Sequence, residues 1–333
     1  MAARGDARLT PAGGVHAVTG APDHPPRPPI PMVPVDERAA AAVRERLQRL
    51  APQTGGVGRL GELAAWLAGV AGSDRPSIRA HAVVAAADQA GTPRTDTVSE
   101  LRELAAGRRA AARLARALDV PLRLVDAGVV GDAQMPGVVA TGLPPGRDPR
   151  HGPALTTEEV AAAVDAGREL AAAAARDGAT VVAAGAIGTG TPVAATSLAA
   201  LLTGLEPPGG DDVAEALAVH RPEEPGPLGA LRRLGSGAIA VVCGVALGAG
   251  EHGLGVICDG LAATAGAAVA ASVEPEVRPR LVAAEASPER THAALLAHLG
   301  LEPVLAPGTG ASGGGAAAAT LALLRLAAAV TTD

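Results

Sequence analysis

The sequence stands out first for the side chains that it lacks. Its 333 residues include no Phe, Tyr, Lys or Asn, and Trp66 is the single tryptophan. The absence of Lys excludes Schiff-base chemistry and the lysine-dependent P-loop. The chain has no Phe or Tyr on which bases could stack, and its net charge of −6 provides no basic field. We therefore expect no nucleic-acid partner.

Cysteine, histidine clusters and long apolar runs are scarce as well. Cys243 and Cys258 are too far apart for a CxxC site and lie in apolar segments, which predicts buried, reduced thiols. The eight histidines show no metal-ligand spacing, so neither a metal nor another cofactor is predicted. Residues 1–20 lack the apolar stretch of a signal peptide, and no uncharged apolar run reaches about 18 residues. We expect a cytoplasmic protein with no membrane partner.

The residues that are present favour a packed α/β protein. Small-apolar runs typical of buried parallel strands alternate with helical patterns. This alternation predicts an α/β fold in which a parallel sheet carries helices on both faces, a Rossmann-like three-layer arrangement. Pro- and Gly-rich segments at 131–155 and 204–227 are predicted as loops. The predicted strands cover 80–88, 121–126, 179–184 and 255–259, and the main predicted helices cover 36–50, 60–70, 99–118, 156–176, 194–202, 239–246, 261–272 and 316–330.

Polar residues follow the predicted strands at the edge where such sheets bind ligands. Ligands of parallel α/β sheets lie beyond the carboxyl ends of the strands. Asp88, Asp126 and Asp259 each end a predicted strand, and the turn Gly185–Thr191 follows another. Their convergence indicates a site at this edge. The alternative is that each acid caps the helix after it.

The glycine-rich turn is the candidate for holding an anion. It reads Gly185-Ala-Ile-Gly188-Thr189-Gly190-Thr191-Pro192. Glycines let the backbone approach an anion, and the start of a helix offers free N–H groups. The order matches neither the dinucleotide fingerprint nor the P-loop, and a plain strand-to-helix turn is the alternative. A formal nucleophile-elbow match around Ser312 is set aside because no strand precedes it.

Five segments, in order along the chain, resemble the motifs of one family. They are Pro52-Gln-Thr-Gly-Gly-Val-Gly-Arg-Leu-Gly-Glu-Leu, Gly152-Pro-Ala-Leu-Thr, Gly185 to Gly204 with its closing Leu-Leu-Thr-Gly, Val256-Ile-Cys-Asp-Gly, and Ser287-Pro-Glu289-Arg-Thr-His292 with Leu301-Glu-Pro-Val-Leu. Together they resemble the nicotinate-nucleotide–dimethylbenzimidazole phosphoribosyltransferases of cobalamin synthesis over roughly residues 40–330.

The resemblance implies a function and an organisation. The function is a pentosyltransferase that moves phosphoribose from nicotinate mononucleotide to a benzimidazole, giving α-ribazole 5′-phosphate. The organisation is a homodimer whose small helical subdomain is built from both chain ends. The chain then divides into a Pro-rich arm (1–35), the N-terminal helical part (36–72), the α/β domain (73–315) and a C-terminal helix that joins the small subdomain (316–333). Phosphate and substrate binding is expected at Gly185, Gly188, Thr189, Gly190, Thr191, Gln89, Asp126, Ser287, His292 and Ser312.

The sequence departs from this family at the catalytic position. The family base is a C-terminal Glu that takes a proton from the azole, and its position falls on Gly313. Glu occurs at many other positions of the chain, so the bias in composition that removes Lys and Asn does not explain the absence of Glu here. Asp88, Asp126 and Asp259 at the strand ends, and Glu285 and Glu289 near the C-terminus, are the candidates for a substitute base, with Asp88, Asp259 and Glu289 preferred. Two interpretations stay open. One is a working transferase, and the other is a catalytically degenerate paralogue that binds a nucleotide or azole, or pairs with an active homologue, without turnover.

Overall fold

The computed structural model describes residues 31–52, 57–206, 211–220, 226–308 and 314–331. Within these ranges the chain alternates between strands and helices along most of its length. The strands are β1 (Ala80–Ala86), β2 (Leu122–Asp126), β3 (Val138–Ala140), β4 (Val181–Ile187), β5 (Gly255–Cys258) and β6 (Leu281–Ala283). The helices are α1 (Glu37–Leu50), α2 (Arg59–Ala71), α3 (Thr97–Ala105), α4 (Ala110–Ala117), α5 (Thr157–Arg176), α6 (Thr191–Thr203), α7 (Asp211–His220), α8 (Pro227–Leu234), α9 (Gly237–His252), α10 (Gly260–Val273), α11 (Arg290–Leu299) and α12 (Gly315–Ala329).

All strand pairings are parallel, and the order across the sheet is β3-β2-β1-β4-β5-β6. The chain therefore builds outward from β1 in one direction and then returns to its other side with β4. The crevice between these two central strands is the topological switch point, where ligands of open α/β sheets bind. The turn after β1 and the turn after β4 are in direct contact there, since the backbone N–H of Gln89 donates to the carbonyl oxygen of Thr189 at 2.9 Å.

The strands bury both of their faces in alternation. On β1, Val83 and Ala85 pack into the core under α5 and α9, while Val84 packs with α3 and α4 on the opposite face. Side chains two residues apart share a face of a strand, so a continuous apolar run covers both faces at once. The predicted α/β class, with helices on both sides of a parallel sheet, is confirmed.

Neighbouring helices on one face of the sheet approach each other closely because small residues line their contact. The buried helix α9 crosses α5 where Gly244 and Gly167 meet. A Cβ on Gly244 would lie 2.0 Å from the carbonyl oxygen of Val164, and one on Gly167 would lie 2.1 Å from that of Val241. Backbone-to-backbone packing of this kind replaces the aromatic side chains that the sequence lacks.

The two chain ends meet in one core. Residues of α1, α2 and α12 pack together, with Val43, Leu67 and Leu324 fully buried among them. Asp36 begins α1 by accepting hydrogen bonds from the backbone N–H groups of Arg38 and Ala39. The last residues of the predicted arm, 31–35, lie against α9, and residues 1–30 are outside the described ranges.

The structure differs from the prediction in the helix over 99–118 and in the elements β3, β6, α7, α8 and α11, which were not predicted. The helix predicted over 99–118 is two helices, α3 and α4, because the chain turns at Gly107 with φ of +72°. The predicted loop 131–155 contains the short edge strand β3, and the segment 204–227 contains α7. Pro and Gly content concealed both elements, since neither is long enough to show a clear period.

Replacing Gly244 with Ala tests the close helix contact. The added methyl group would meet backbone atoms that cannot rotate away, so we expect Gly244→Ala to lower the free energy of unfolding by about 3 kcal/mol. The control is Gly61→Ala in α2, where the nearest atoms are methyl groups of Val57 and Leu47 at 3.1 and 3.3 Å. Urea denaturation followed by Trp66 fluorescence measures both. Equal stability of the two variants would contradict the packing described.

Candidate functional site

The carboxylate of Asp88 holds the crevice together. Asp88 follows β1, is 4% exposed, and accepts three hydrogen bonds. The donors are the Thr97 hydroxyl at 2.5 Å, the Val130 backbone N–H at 2.8 Å and the Thr189 backbone N–H at 2.9 Å. They come from the segments that follow β1, β2 and β4. A buried carboxylate with this many donors is a structural link between loops.

The turn between β4 and α6 lies directly on the end of β1. Gly188 has φ of +123°, and a Cβ there would lie 1.9 Å from the carbonyl oxygen of Ala87. Gly190 has φ of +75°, and a Cβ added there would lie 2.8 Å from the Cβ of Gln89. Glycine is required at both positions by the conformation and by the space. The two glycines therefore fix the shape of the turn.

This turn presents unpaired backbone donors at the start of a helix. Among the described residues, no protein acceptor bonds the N–H groups of Gly188, Gly190 and Val193. The N-terminal end of α6 adds the positive end of its dipole. An anion such as a phosphate group is the ligand that this arrangement favours.

The threonine hydroxyls of the turn point inward. Thr191 donates to the backbone carbonyls of Ile187 and Ala87 at 3.3 and 3.4 Å, and Thr189 bonds the Thr95 hydroxyl at 3.1 Å. Both threonines are buried. Thr191 was expected to offer its hydroxyl to the anion, but the geometry uses that hydroxyl within the protein. The candidate anion site, called here the anion cradle, therefore consists of the backbone N–H groups of Gly188, Gly190 and Val193.

Gln89 and Asp126 complete the strand-end residues on this side. Gln89 is 3% exposed and donates from Nε2 to the carbonyl oxygen of Gly235 at 3.1 Å, which ties the crevice to the turn before α9. Asp126 accepts from the backbone N–H groups of Gly128 and Val129 at 3.0 and 2.9 Å. Asp126 therefore stabilises the turn after β2, and it does not cap a helix, because the next element along the chain is β3.

Asp259 lies on the other side of the β4 strand end. It follows β5 next to Gly185, and a Cβ on Gly185 would lie 3.9 Å from that of Asp259. The Asp259 carboxylate accepts from the backbone N–H groups of Gly314 and, at 3.1 Å, Ala317. It thus caps α12, the C-terminal helix, rather than its own helix α10, for which it makes no side-chain cap.

Burial gives Asp259 unusual acid–base properties. Desolvation raises its pKa to about 6, against the lowering effect of the two backbone N–H groups, and the nearby Glu285 carboxylate raises it further. Burial also raises the pKa of Glu285, whose Oε2 has no hydrogen-bond partner among the described residues. A small apolar cavity is lined by residues that include Val84, Gly185 and Gly314, and the backbone N–H of Gly314 donates to the Asp259 carboxylate.

Ser287 and His292 lie at the end of β6. The Ser287 hydroxyl is 2.6 Å from Nδ1 of His292, and the His292 ring is completely buried. Burial lowers the pKa of His292 to about 4, so the ring is neutral at physiological pH. The pair therefore provides a fixed hydroxyl group at the strand-end edge.

Comparison with known proteins identifies the family. A family model described as Phosphoribosyltransferase matches residues 32–209 and 211–333. The chain belongs to the phosphoribosyltransferase family. A nicotinate-nucleotide–dimethylbenzimidazole phosphoribosyltransferase of Pseudomonas putida is 35% identical to this chain, and the match covers 89% of this chain and 92% of the relative's length. The crystal structure of the Thermus thermophilus protein of that name is 33% identical, has a TM-score of 0.81, and is matched across 89% of this chain and 96% of its own.

The resemblance read from the sequence motifs is therefore confirmed. Most of the side chains predicted for the site lie at one edge of the sheet: Asp88, Gln89, the Gly185–Thr191 turn, Asp259, Ser287 and His292. Glu289 is exposed immediately before α11. Ser312, and Gly313 on which the resemblance places the family base, lie outside the described residues. In the part of the chain that is described, no group of three metal-ligating side chains occurs, and no helix is both long and apolar enough to cross a membrane.

Two residues of the site were not predicted from the sequence. Thr97 and Val130, which donate hydrogen bonds to Asp88, gave no sequence signal, since their roles depend on contacts between distant loops. Glu285, a candidate base from the sequence, lies two residues beyond β6, a strand that was not predicted because its apolar run is too short.

Removing the Asp88 carboxylate tests whether it supports the crevice. Asp88→Ala would leave two backbone N–H groups and a hydroxyl without an acceptor, so we expect the free energy of unfolding to fall by about 3 kcal/mol or more. The control is Asp132→Ala, which removes a carboxylate that accepts one backbone bond on the surface and is expected to cost about 0.5 kcal/mol or less. Urea denaturation provides both values. A stable Asp88→Ala variant would show that the three loops are held by other contacts.

Proposed function

We propose that this protein transfers phosphoribose from nicotinate mononucleotide to a benzimidazole nitrogen, giving α-ribazole 5′-phosphate and nicotinate. One juxtaposition supports this reaction more than any other feature. An anion cradle of backbone N–H groups and a buried carboxylate of raised pKa follow the adjacent strands β4 and β5. The first suits the 5′-phosphate of a nucleotide, and the second suits a group that must lose a proton.

The cradle would hold the phosphate through the turn Gly188–Thr191. Its free N–H groups and the N-terminus of α6 compensate for negative charge without any lysine, which this chain does not contain. A phosphate bound there would fix the ribose against the strand ends. Fixing both substrates supplies much of the rate of such a transfer, because it removes the entropic cost of bringing them together.

Asp259 is the substitute base that the geometry favours. The azole nitrogen attacks the anomeric carbon with its lone pair, the bond from that carbon to the pyridinium nitrogen breaks, and its electron pair neutralises the released nicotinate ring. The second azole nitrogen then gives its proton to the carboxylate. Asp259 is desolvated, and its N–H donor Gly314 is the neighbour of position 313, where the family base falls. Asp88 has three donors already, and Glu289 is exposed.

Turnover of purified protein with nicotinate mononucleotide and dimethylbenzimidazole, followed by nicotinate release, tests the proposal. We expect Asp259→Asn to lower kcat by about 10²- to 10⁴-fold, the usual contribution of a general base. Binding of the nucleotide should change little, because the cradle does not include Asp259. Glu289→Gln is the control and should retain wild-type turnover.

The pH dependence gives an independent check on Asp259. Only the deprotonated carboxylate accepts a proton, and its pKa is raised to about 6. We therefore expect kcat/KM to be constant above that pH and to fall as pH decreases through about 6. The pH profile of Asp259→Asn should lack this acidic limb. A limb near the ordinary aspartate value of 3.8 would contradict the assignment.

The variant Gly313→Glu separates the two interpretations of the missing family base. If the wild type has no activity and Gly313→Glu restores it, the chain is a degenerate member and Asp259 is no base. If the wild type is active and Gly313→Glu adds little, a relocated base is supported. The homodimer and the cytoplasmic location stay predictions, and sedimentation of the purified protein tests the first.

A further inference from the structure

Three side chains form a continuous hydrogen-bonded relay beside the site. Ser287 Oγ lies 2.6 Å from His292 Nδ1, and His292 Nε2 lies 3.1 Å from the Thr264 hydroxyl. That hydroxyl in turn donates to the carbonyl oxygen of Gly260 at 2.8 Å. His292 and Thr264 are both completely buried, whereas Ser287 is half-buried. The relay therefore runs from the protein interior to a single hydroxyl at its surface.

The contacts of His292 determine which way the relay points. The backbone N–H of Ser287 donates to Nδ1 at 3.1 Å, so Nδ1 carries no proton. The neutral ring then has its proton on Nε2, which donates to Thr264. Because Nδ1 only accepts, the Ser287 hydroxyl must donate to it. The hydroxyl proton of Ser287 is therefore used in its hydrogen bond to Nδ1, and the Ser287 oxygen can only accept a hydrogen bond from a ligand.

The exposed end of the relay lies at the same edge as the anion cradle. Ser287 follows β6, and Thr264 is in the first turns of α10, directly after β5. The helices α10 and α11 pack against α6, whose N-terminal end carries the cradle. Helices that follow parallel strands begin at the carboxyl edge of the sheet, so the starts of α6, α10 and α11 are close together.

We propose that Ser287 is a hydrogen-bond acceptor for a ribose hydroxyl of the bound nucleotide, and that His292 and Thr264 are positioning residues that fix this polarity. This role rests on the proposed function. A dianionic phosphate and a carboxylate offer only acceptors, and two acceptors repel. The ribose 2′- and 3′-hydroxyls are the O–H donors of nicotinate mononucleotide once its phosphate is deprotonated. Ser287 thus selects a ribose rather than the phosphate itself.

Calorimetric binding to the full chain at pH 8 tests the role of Ser287. The probes are nicotinate mononucleotide, its 2′-deoxy and 3′-deoxy analogues, and inorganic phosphate. We expect Ser287→Ala to weaken the nucleotide about three- to tenfold, the usual effect of one hydrogen bond, and to leave phosphate unchanged. One deoxy analogue should bind the wild type more weakly by the same factor and should lose nothing further in Ser287→Ala. Ser272→Ala is the matched control, since its hydroxyl bonds only Ala268 near the far end of α10.

Variants of Thr264 test the buried part of the relay. Thr264→Val keeps the shape of the side chain but leaves the Nε2 proton of His292 buried without its acceptor, so the tautomer whose Nδ1 accepts from Ser287 becomes less stable. We expect it to weaken nucleotide binding as Ser287→Ala does, whereas Thr264→Ser keeps the hydroxyl and should restore wild-type affinity. A purely structural role would lower the melting temperature of Thr264→Val without changing the response to the deoxy analogues.

The outcomes distinguish this role from the proposed function. Suppose that the wild type binds and turns over the nucleotide. The Ser287 role is then wrong, and the function stands, if the losses of affinity from Ser287→Ala and from the deoxy analogues add up. The same conclusion follows if Ser287→Ala weakens phosphate binding as much as nucleotide binding. If the wild type binds nucleotide with the expected pattern but shows no turnover, the Ser287 role stands and the transferase function is wrong. If the wild type does not bind the nucleotide, both are wrong.

Discussion

The buried carboxylate of Asp88 is the contact on which the site depends. A parallel sheet leaves its strand ends as separate loops, and no ladder hydrogen bond connects them beyond the last strand residue. Asp88 replaces that missing connection, because it accepts donors from the segments after β1, β2 and β4. The β4–α6 turn can then lie on the end of β1, where only glycine fits. The free N–H groups of the anion cradle are a consequence of this packing.

The absence of Phe and Tyr shapes the rest of the molecule. Large rings usually fill the space between helices and a sheet. Here glycines such as Gly167 and Gly244 allow the backbones of the helices α5 and α9 to touch. Asp259 is desolvated by a different contact, since α12 begins directly over its carboxylate.

Much of the fold could be predicted from the sequence, because its signals are local. The strand ending at Asp88 is a run of small apolar residues, and the helix after Thr156 begins with a capping box. The break at Gly107 and the short strand β3 were missed, since tertiary contacts determine them. The strand order could not be predicted, because it depends on which loops and faces pack together rather than on any one segment.

For the site, the sequence by itself determined which candidate residues and motifs are present. These are the strand-end acids, a glycine-rich turn, and the motifs that identify the phosphoribosyltransferase family. Through the resemblance it also predicted that the family's catalytic Glu position falls on Gly313. Only the tertiary structure separated the three strand-end acids, which look alike in sequence. Asp88 and Asp126 are bound by loop donors, whereas Asp259 is buried under α12 and has a raised pKa. The physical reason is that desolvation and hydrogen bonding come from residues distant in sequence, so the role of a carboxylate is decided by what packs around it.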